Sequence, residues 1–257
     1  MNMFEPDRSV VDDDTCVGMI NTSSDLSMND TDVSTDISLH DVDVDMSAND
    51  AETDTSVNDF ICKLKVFRQH NMNNLIISSL NINSIRNKFT ELSTVLKAGY
   101  VDILSICETK LDKSFPDAQF KVRDYKMYRQ DRTHNSGGVA VFIRSDIPHK
   151  HRTDFTNLSD DKYIQLVVIE LKIRKEIWFI CGLYKSPKTK NCYFNDVFQR
   201  MADSLLKESQ NIFIIGDVNF NMEKENVFYK RSSIYGFKNC IVGPTCFKGL
   251  TPTCIDV

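Results

Sequence analysis

The chain has 257 residues, 41% of them hydrophobic and 26% charged, with a formal net charge of −5 at pH 7; this length holds one sizeable α/β domain, or a smaller domain with a tail. Charge is unevenly spread: residues 1–59 hold sixteen Asp and Glu against Arg8 alone, a net of −15, which leaves +10 for residues 60–257. No basic stretch followed by an apolar core opens the chain and no apolar run approaches a membrane span, which argues against a secreted or membrane protein and for an intracellular one, nuclear or cytoplasmic.

Residues 1–59 are rich in Asp, Ser, Thr and Asn and show no sustained apolar period. They are expected to form a disordered acidic tail, because they bury too little surface to offset chain entropy. Residues 60–73 read as a linker and 74–257 as the folded domain. A polyanionic tail of this kind would compete with nucleic acid for a basic domain.

The first expected strand is Leu75 to Asn81. A one-sided helix follows, with Ile85, Phe89, Leu92, Val95 and Leu96 on one face and Gly99 at its stop. Further strands are expected at Ile103 to Cys107, Val139 to Ile143, Ile164 to Leu171, Ile177 to Leu183 and Asn211 to Ile215. Before the last of these, Phe194, Val197, Phe198, Met201, Leu205 and Leu206 mark a second amphipathic helix. Ser136-Gly137-Gly138 and Asp146-Ile147-Pro148 supply turns. The cysteines show no C-x-x-C pair or zinc-finger spacing, and Cys107 and Cys181 sit in apolar runs, so reduced core thiols are expected. Strands alternating with helices give a sheet-rich layered α/β domain.

Polar residues stand where these strands end. Asn81 and Asn83 alternate with Leu80 and Ile82, so one of the two amides can face a site. Glu108 follows the second strand, Tyr184 follows Gly182-Leu183, and Asp256 follows Cys254-Ile255. Gly216-Asp217-Val218-Asn219 breaks an apolar strand on a glycine and presents two polar side chains at alternate positions, which an extended chain would set side by side. Taken singly, each has an ordinary structural reading as a turn residue or solvated strand end. Together, carboxylates and amides of this kind suit magnesium, which keeps several waters and needs one or two protein carboxylates plus phosphate oxygens. Glu108 is the natural first ligand, and Asn81 can orient water or phosphate without adding negative charge. Asp217 either accepts a proton from water or shares the metal, Asn219 orients water or phosphate, and Tyr184 donates to a phosphate oxygen.

The ordered series Leu80-Asn81-Ile82-Asn83, Cys107-Glu108-Thr109-Lys110, Gly137-Gly138-Val139-Ala140-Val141, Gly182-Leu183-Tyr184, Gly216-Asp217-Val218-Asn219 and Cys254-Ile255-Asp256 resembles the endonuclease/exonuclease/phosphatase superfamily. Asn83 to Lys88, Glu108 to Asp112 and Tyr128 to Arg132 look like the apurinic-type endonuclease domain of non-LTR retrotransposons. The resemblance covers roughly residues 74–257. It implies a four-layer α/β sandwich (DNase-I-like), with two packed, mostly antiparallel sheets flanked by helices and a site at one end. It also implies a Mg2+-dependent phosphodiesterase, with Mn2+ as a substitute, that nicks DNA to leave a 3′-hydroxyl for a reverse transcriptase. Asn81 and Glu108 match the metal-side pair, Tyr184 a phosphate contact, Asp217 the residue that handles a proton, Asn219 its orienting partner, and Asp256 a carboxylate that holds a catalytic histidine.

The family closes on Ser-Asp-His, and none of His40, His70, His134, His149 or His151 stands in such a context. The resemblance therefore implies a copy truncated at its C-terminus, without the last strands. His149 and His151 read as solvated loop residues after Pro148. Two other readings are a non-enzymatic DNA-binding remnant and another phosphoesterase of the same fold, such as an inositol-phosphate phosphatase. Arg86, Lys88, Lys110, Lys185 and Lys188 lie in or near loops after strands and are the expected contacts to backbone phosphates. No groove-reading helix or zinc module is visible, so target preference would come from loop shape and DNA deformability.

Overall fold

The computed structural model describes residues 19–21, 33–34, 50–132, 136–241, 254 and 257, with side chains from residue 57 onward. Two sheets form the centre. One has the order β11 (Phe237–Asn239), β1 (Met19–Asn21), β10 (Asn211–Asp217), β9 (Glu176–Lys185), β8 (Ile164–Ile173), β7 (His149–His151). The other runs β2 (Val33–Ser34), β3 (Leu75–Asn81), β4 (Ile103–Cys107), β6 (Val139–Arg144), β5 (Tyr125–Gln130). The sheets are mixed: β10 with β9, β3 with β4 and β2 with β3 are parallel, while the remaining pairings are antiparallel.

Alternation along each strand builds three apolar layers. Ile103, Cys107, Val139, Val141, Val167, Ile169, Phe213 and Ile215 meet between the sheets. Their neighbours Leu104, Ile106, Ala140 and Phe142 face outward against α1 (Asp50–His70) and α2 (Ile85–Lys97). On the other sheet Leu166, Val168, Ile212 and Ile214 pack against α3 (Asn191–Leu205) and α4 (Val227–Ile234). Strands apolar on both faces therefore read as unbroken apolar runs, which is the pattern of sheets covered on both sides. The result is helix, sheet, sheet, helix. No described helix is long and apolar enough to cross a membrane. Cys107 and Cys181 are buried thiols outside any disulfide.

Two sequence expectations change, and a third falls mostly outside the described residues. The linker expected at residues 60–73 falls largely within α1, because Val57, Phe60 and Leu64 recur at helical spacing and are buried, Phe60 and Leu64 against α2 and its sheet. Most of the acidic segment 1–59 lies outside the described residues, apart from β1, β2 and the first turns of α1. His149 and His151 are not in a loop but on β7, where antiparallel pairing with β8 holds both side chains half-buried. The Tyr128 hydroxyl lies 3.0 Å from His149 Nε2, and the Tyr128 ring packs 4.8 Å from that of His151, joining the edges of the two sheets. Burial lowers the pKa of His151.

Candidate active site

Register sets the site. Asn81 pairs with Cys107 at the ends of parallel β3 and β4, so Glu108 emerges one residue beyond Asn81's neighbour. Asp217 pairs with Tyr184 at the ends of parallel β10 and β9, and Gln165 on β8 pairs with Tyr184 from the other side. All these strand ends lie at one end of the sandwich, and among the contacts that tie the sheets together there Asn81 Nδ2 donates to Asp217 Oδ2 at 3.4 Å.

The backbone at this end is strained. Asn83, Ser84, Glu108, Lys110 and Asn219 all have positive φ, at 47°, 103°, 55°, 54° and 50°. Asn tolerates this region, whereas Glu, Lys and Ser lose about 1 kcal/mol or more each. The strain is held by a ladder: Ser84 N donates to Glu108 O at 2.9 Å, Ile85 N to Thr109 O at 3.1 Å, and Lys110 N to Gly137 O at 2.9 Å. Strain concentrated at one end of a sandwich is a mark of a functional site.

Asp217 is 2% exposed. Its Oδ1 accepts the Asn219 backbone N–H at 2.9 Å, closing an Asx turn, while Asn219 Nδ2 donates to Lys185 O at 2.8 Å. Asp217 and Asn219 are thus adjacent through a turn rather than through extended alternation, because the chain bends at Asn219. Asn81 Oδ1 accepts from Asn83 N at 3.2 Å, and the Lys110 ammonium bonds Asn83 Oδ1 and stands 3.9 Å from Glu108 Oε2. Burial, then the Glu108 and Asp217 carboxylates, push the Tyr184 phenol well above its usual range, so it remains a donor at neutral pH. The Arg132 guanidinium lies 6.0 Å from the centre of the Tyr184 ring.

Gly216 makes the close approach possible. Its φ is 141°, and a Cβ there would lie 2.0 Å from Leu183 O; its N–H donates to Val257 O at 2.7 Å and its carbonyl accepts Val257 N at 2.8 Å. Gly216→Ala is expected to cost about 2–3 kcal/mol through backbone strain and overpacking, read as a lower urea midpoint.

The structure brings Asn81, Glu108, Tyr184, Asp217 and Asn219 to one end. Asp256 lies outside the described residues. Of the expected phosphate contacts, Arg86 and Lys188 are exposed and Lys88 is half-buried, while Lys110 is engaged with Glu108 and Asn83. Lys185 is a correction. It is 2% exposed, and its ammonium sits 4.4 Å over the Phe220 ring and 5.8 Å from that of Phe194. Burial lowers its pKa, against the pull of Asp217. It cannot reach a solvent-side phosphate.

Sequence reasoning missed Gln165 and Thr109. Gln165 is fully buried, and its Oε1 accepts Gly138 N at 3.4 Å. Thr109 is also buried, and its Oγ1 has no hydrogen-bond partner. A lone amide inside the apolar run of β8 was the one available signal.

The donor set is compatible with a hard cation. Among the described residues no three His, Cys, Asp or Glu side chains converge. Magnesium does not need three, since one carboxylate and an amide oxygen suffice when water and substrate phosphate complete the shell.

Residues 78–182 match the profile of the Endonuclease/Exonuclease/phosphatase family. A probable RNA-directed DNA polymerase from transposon BS of Drosophila melanogaster is 26% identical over 195 residues, covering 72% of this chain and 21% of that protein. The chain thus spans about a fifth of that relative's length. Among solved structures, the endonuclease domain of TRAS1, a telomere-specific non-LTR retrotransposon, aligns with a TM-score of 0.50 at 13% identity, over 70% of this chain and 80% of that one. The Xenopus laevis APE2 catalytic domain aligns at 0.46 and 18% identity, over 62% of this chain and 65% of that one. The fold is the α/β sandwich of the TRAS1 endonuclease domain, and residues 78–182 are the part of the chain that is similar to the Endonuclease/Exonuclease/phosphatase family.

Proposed function

We propose that this domain is a magnesium-dependent DNA endonuclease of retrotransposon type, which nicks one strand and leaves a 3′-hydroxyl. The observation that carries the reading is the contact between Asn81 and Asp217, which joins the Glu108 side of the site to the Asp217–Asn219 turn across two sheets. Kinship with a transposon polymerase and the fold shared with the TRAS1 endonuclease domain support DNA as substrate.

Glu108 and the Asn81 amide oxygen would hold Mg2+, and Mn2+ would substitute. The bound ion would neutralise charge on the phosphate and activate water. Asp217 takes a proton from the attacking water as the water oxygen bonds to phosphorus. The P–O3′ bond breaks, and the leaving 3′-oxygen takes up a proton from solvent. Asn219, anchored on Lys185 O, holds the Asp217 turn in place, and Tyr184 donates to a non-bridging oxygen. A 3′-hydroxyl at a nick is a primer end, which fits a reverse transcriptase as partner. The working compartment is then one where DNA is met, the nucleus or the cytoplasm.

Glu108→Ala is expected to slow magnesium-dependent nicking of supercoiled plasmid by at least about a hundredfold. Nicking at the wild-type rate would remove Glu108 from the site.

A further inference from the structure

At the start of β8 the chain turns over Asp160. Its Oδ1 accepts Lys162 N at 2.8 Å and Tyr163 N at 2.5 Å, and its Oδ2 accepts the Tyr193 hydroxyl at 3.0 Å. The Tyr163 carbonyl accepts Ser186 N at 2.7 Å and Thr189 Oγ1 at 3.1 Å, which fixes this turn to the loop that follows Tyr184 and Lys185. Tyr163 is thus fixed through its backbone and Tyr193 through its hydroxyl. Their rings nevertheless stay in water: Tyr163 is 41% and Tyr193 38% exposed, with centroids 6.3 Å apart at 75°. Leaving two large aromatic surfaces this exposed contributes little to the core, and such surfaces mark binding sites.

Their place narrows the occupant. Ile164, next to Tyr163, pairs with Lys185, and Gln165 pairs with Tyr184, so the rings stand at the rim of the active site. Lys162, Lys188 and Lys190 are exposed in the same two loops. Asp160 is consumed by its three hydrogen bonds, and the exposed Asp161 is outnumbered by the lysines. Cations beside open aromatic faces match a nucleic-acid strand whose phosphates meet the lysines and whose base stacks on a ring. A base inside a paired duplex has both faces covered and cannot use such a ring.

We propose that Tyr163 and Tyr193 form a stacking platform for an unpaired nucleobase beside the cut phosphodiester, so that the domain prefers DNA that is locally unpaired. This rests on the endonuclease reading. It names the form of DNA taken by that site.

The test uses the full chain in EDTA, where binding is separated from cleavage, and two oligonucleotide duplexes of equal length. One is fully paired; the other carries a single unpaired 2-aminopurine. The wild type is expected to bind the second more tightly and to quench its fluorescence. Tyr163→Ala and Tyr193→Ala should each lose about tenfold in affinity for the unpaired duplex and bind the paired one as the wild type does, whereas Tyr163→Phe, which keeps the ring, should retain both. Equal wild-type affinity for the two duplexes, alanine variants that bind like the wild type, or equal losses on both duplexes would overturn the platform. Any of these in a protein that still nicks plasmid with magnesium leaves the endonuclease reading standing. Failure to bind either duplex at low salt overturns both, and would turn attention to a protein partner for the tyrosines.

Discussion

Asp217→Asn should slow DNA nicking by about a hundredfold to ten-thousandfold, the usual contribution of a positioned acid–base group. The substitution keeps shape and an oxygen that can still accept Asn219 N–H, so the Asx turn survives. It removes the one property the mechanism uses, a carboxylate able to take a proton, and Asp217 is buried enough that solvent cannot replace it. With its oxygen on Asn219 N–H, the new amide turns its nitrogen toward Asn81 Nδ2, so the long 3.4 Å contact to Asn81 is given up. Thermal unfolding should therefore stay close to that of the wild type while single-turnover nicking collapses. A variant that melts normally and nicks at the wild-type rate would remove Asp217 from proton transfer.

The largest expected loss of stability lies at the opposite end of β4. Asp102 is 4% exposed and stands between two arginines: Arg144 Nη1 donates to its Oδ1 at 2.8 Å, and Arg68 Nη2 pairs with its Oδ2. The same Oδ2 accepts Ile76 N at 2.7 Å. Arg68 belongs to α1 and also donates to Tyr100 O and Asn74 O, so Asp102 is the charge that fastens this helix to the sandwich. Asp102→Ala leaves a backbone N–H and two guanidinium groups short of an acceptor, and should cost about 3 kcal/mol. Asp146 also pairs with Arg144, but its side chain is 64% exposed, and Asp146→Ala should cost under about 1 kcal/mol. Equal urea midpoints for the two variants would contradict this ranking.

Much of the fold could be read from the sequence because its strands are buried on both faces. Leu75–Asn81 and Ile103–Cys107 appear as strands with the expected bounds, and the runs opening at Val139, Ile164 and Asn211 are strands that extend one or two residues further than expected. β5 was missed because Tyr-Lys-Met-Tyr-Arg-Gln lies at a sheet edge, mostly half-exposed, and carries no apolar run. α4 turns only Phe228 and Ser232 fully inward, too weak a stripe to read. α1 was hidden by charge, since the acidic composition of its first turns outweighed the spacing of Val57, Phe60 and Leu64.

The gathering of the candidate residues was legible by residue type at strand ends, and their direction less so. Tyr184 faces the space between the sheets, so strand parity turns its neighbour Lys185 to the helix side, among Phe194 and Phe220. That parity was available in the sequence and would have removed Lys185 from the phosphate contacts. Thr109 and Gln165 could not be singled out in this way, because their roles depend on the approach of the Gly137–Gly138 turn from another strand.

A cut that leaves a 3′-hydroxyl creates a primer end that a DNA polymerase can extend at the nick. Supercoiled plasmid is incubated with the full chain and magnesium, the protein is removed, and a DNA polymerase is supplied with labelled nucleotides. Nicked circles that form only with the metal, and that take up label without phosphatase treatment, are the predicted result. Plasmid that stays supercoiled, or nicks that accept label only after phosphatase treatment, would contradict it.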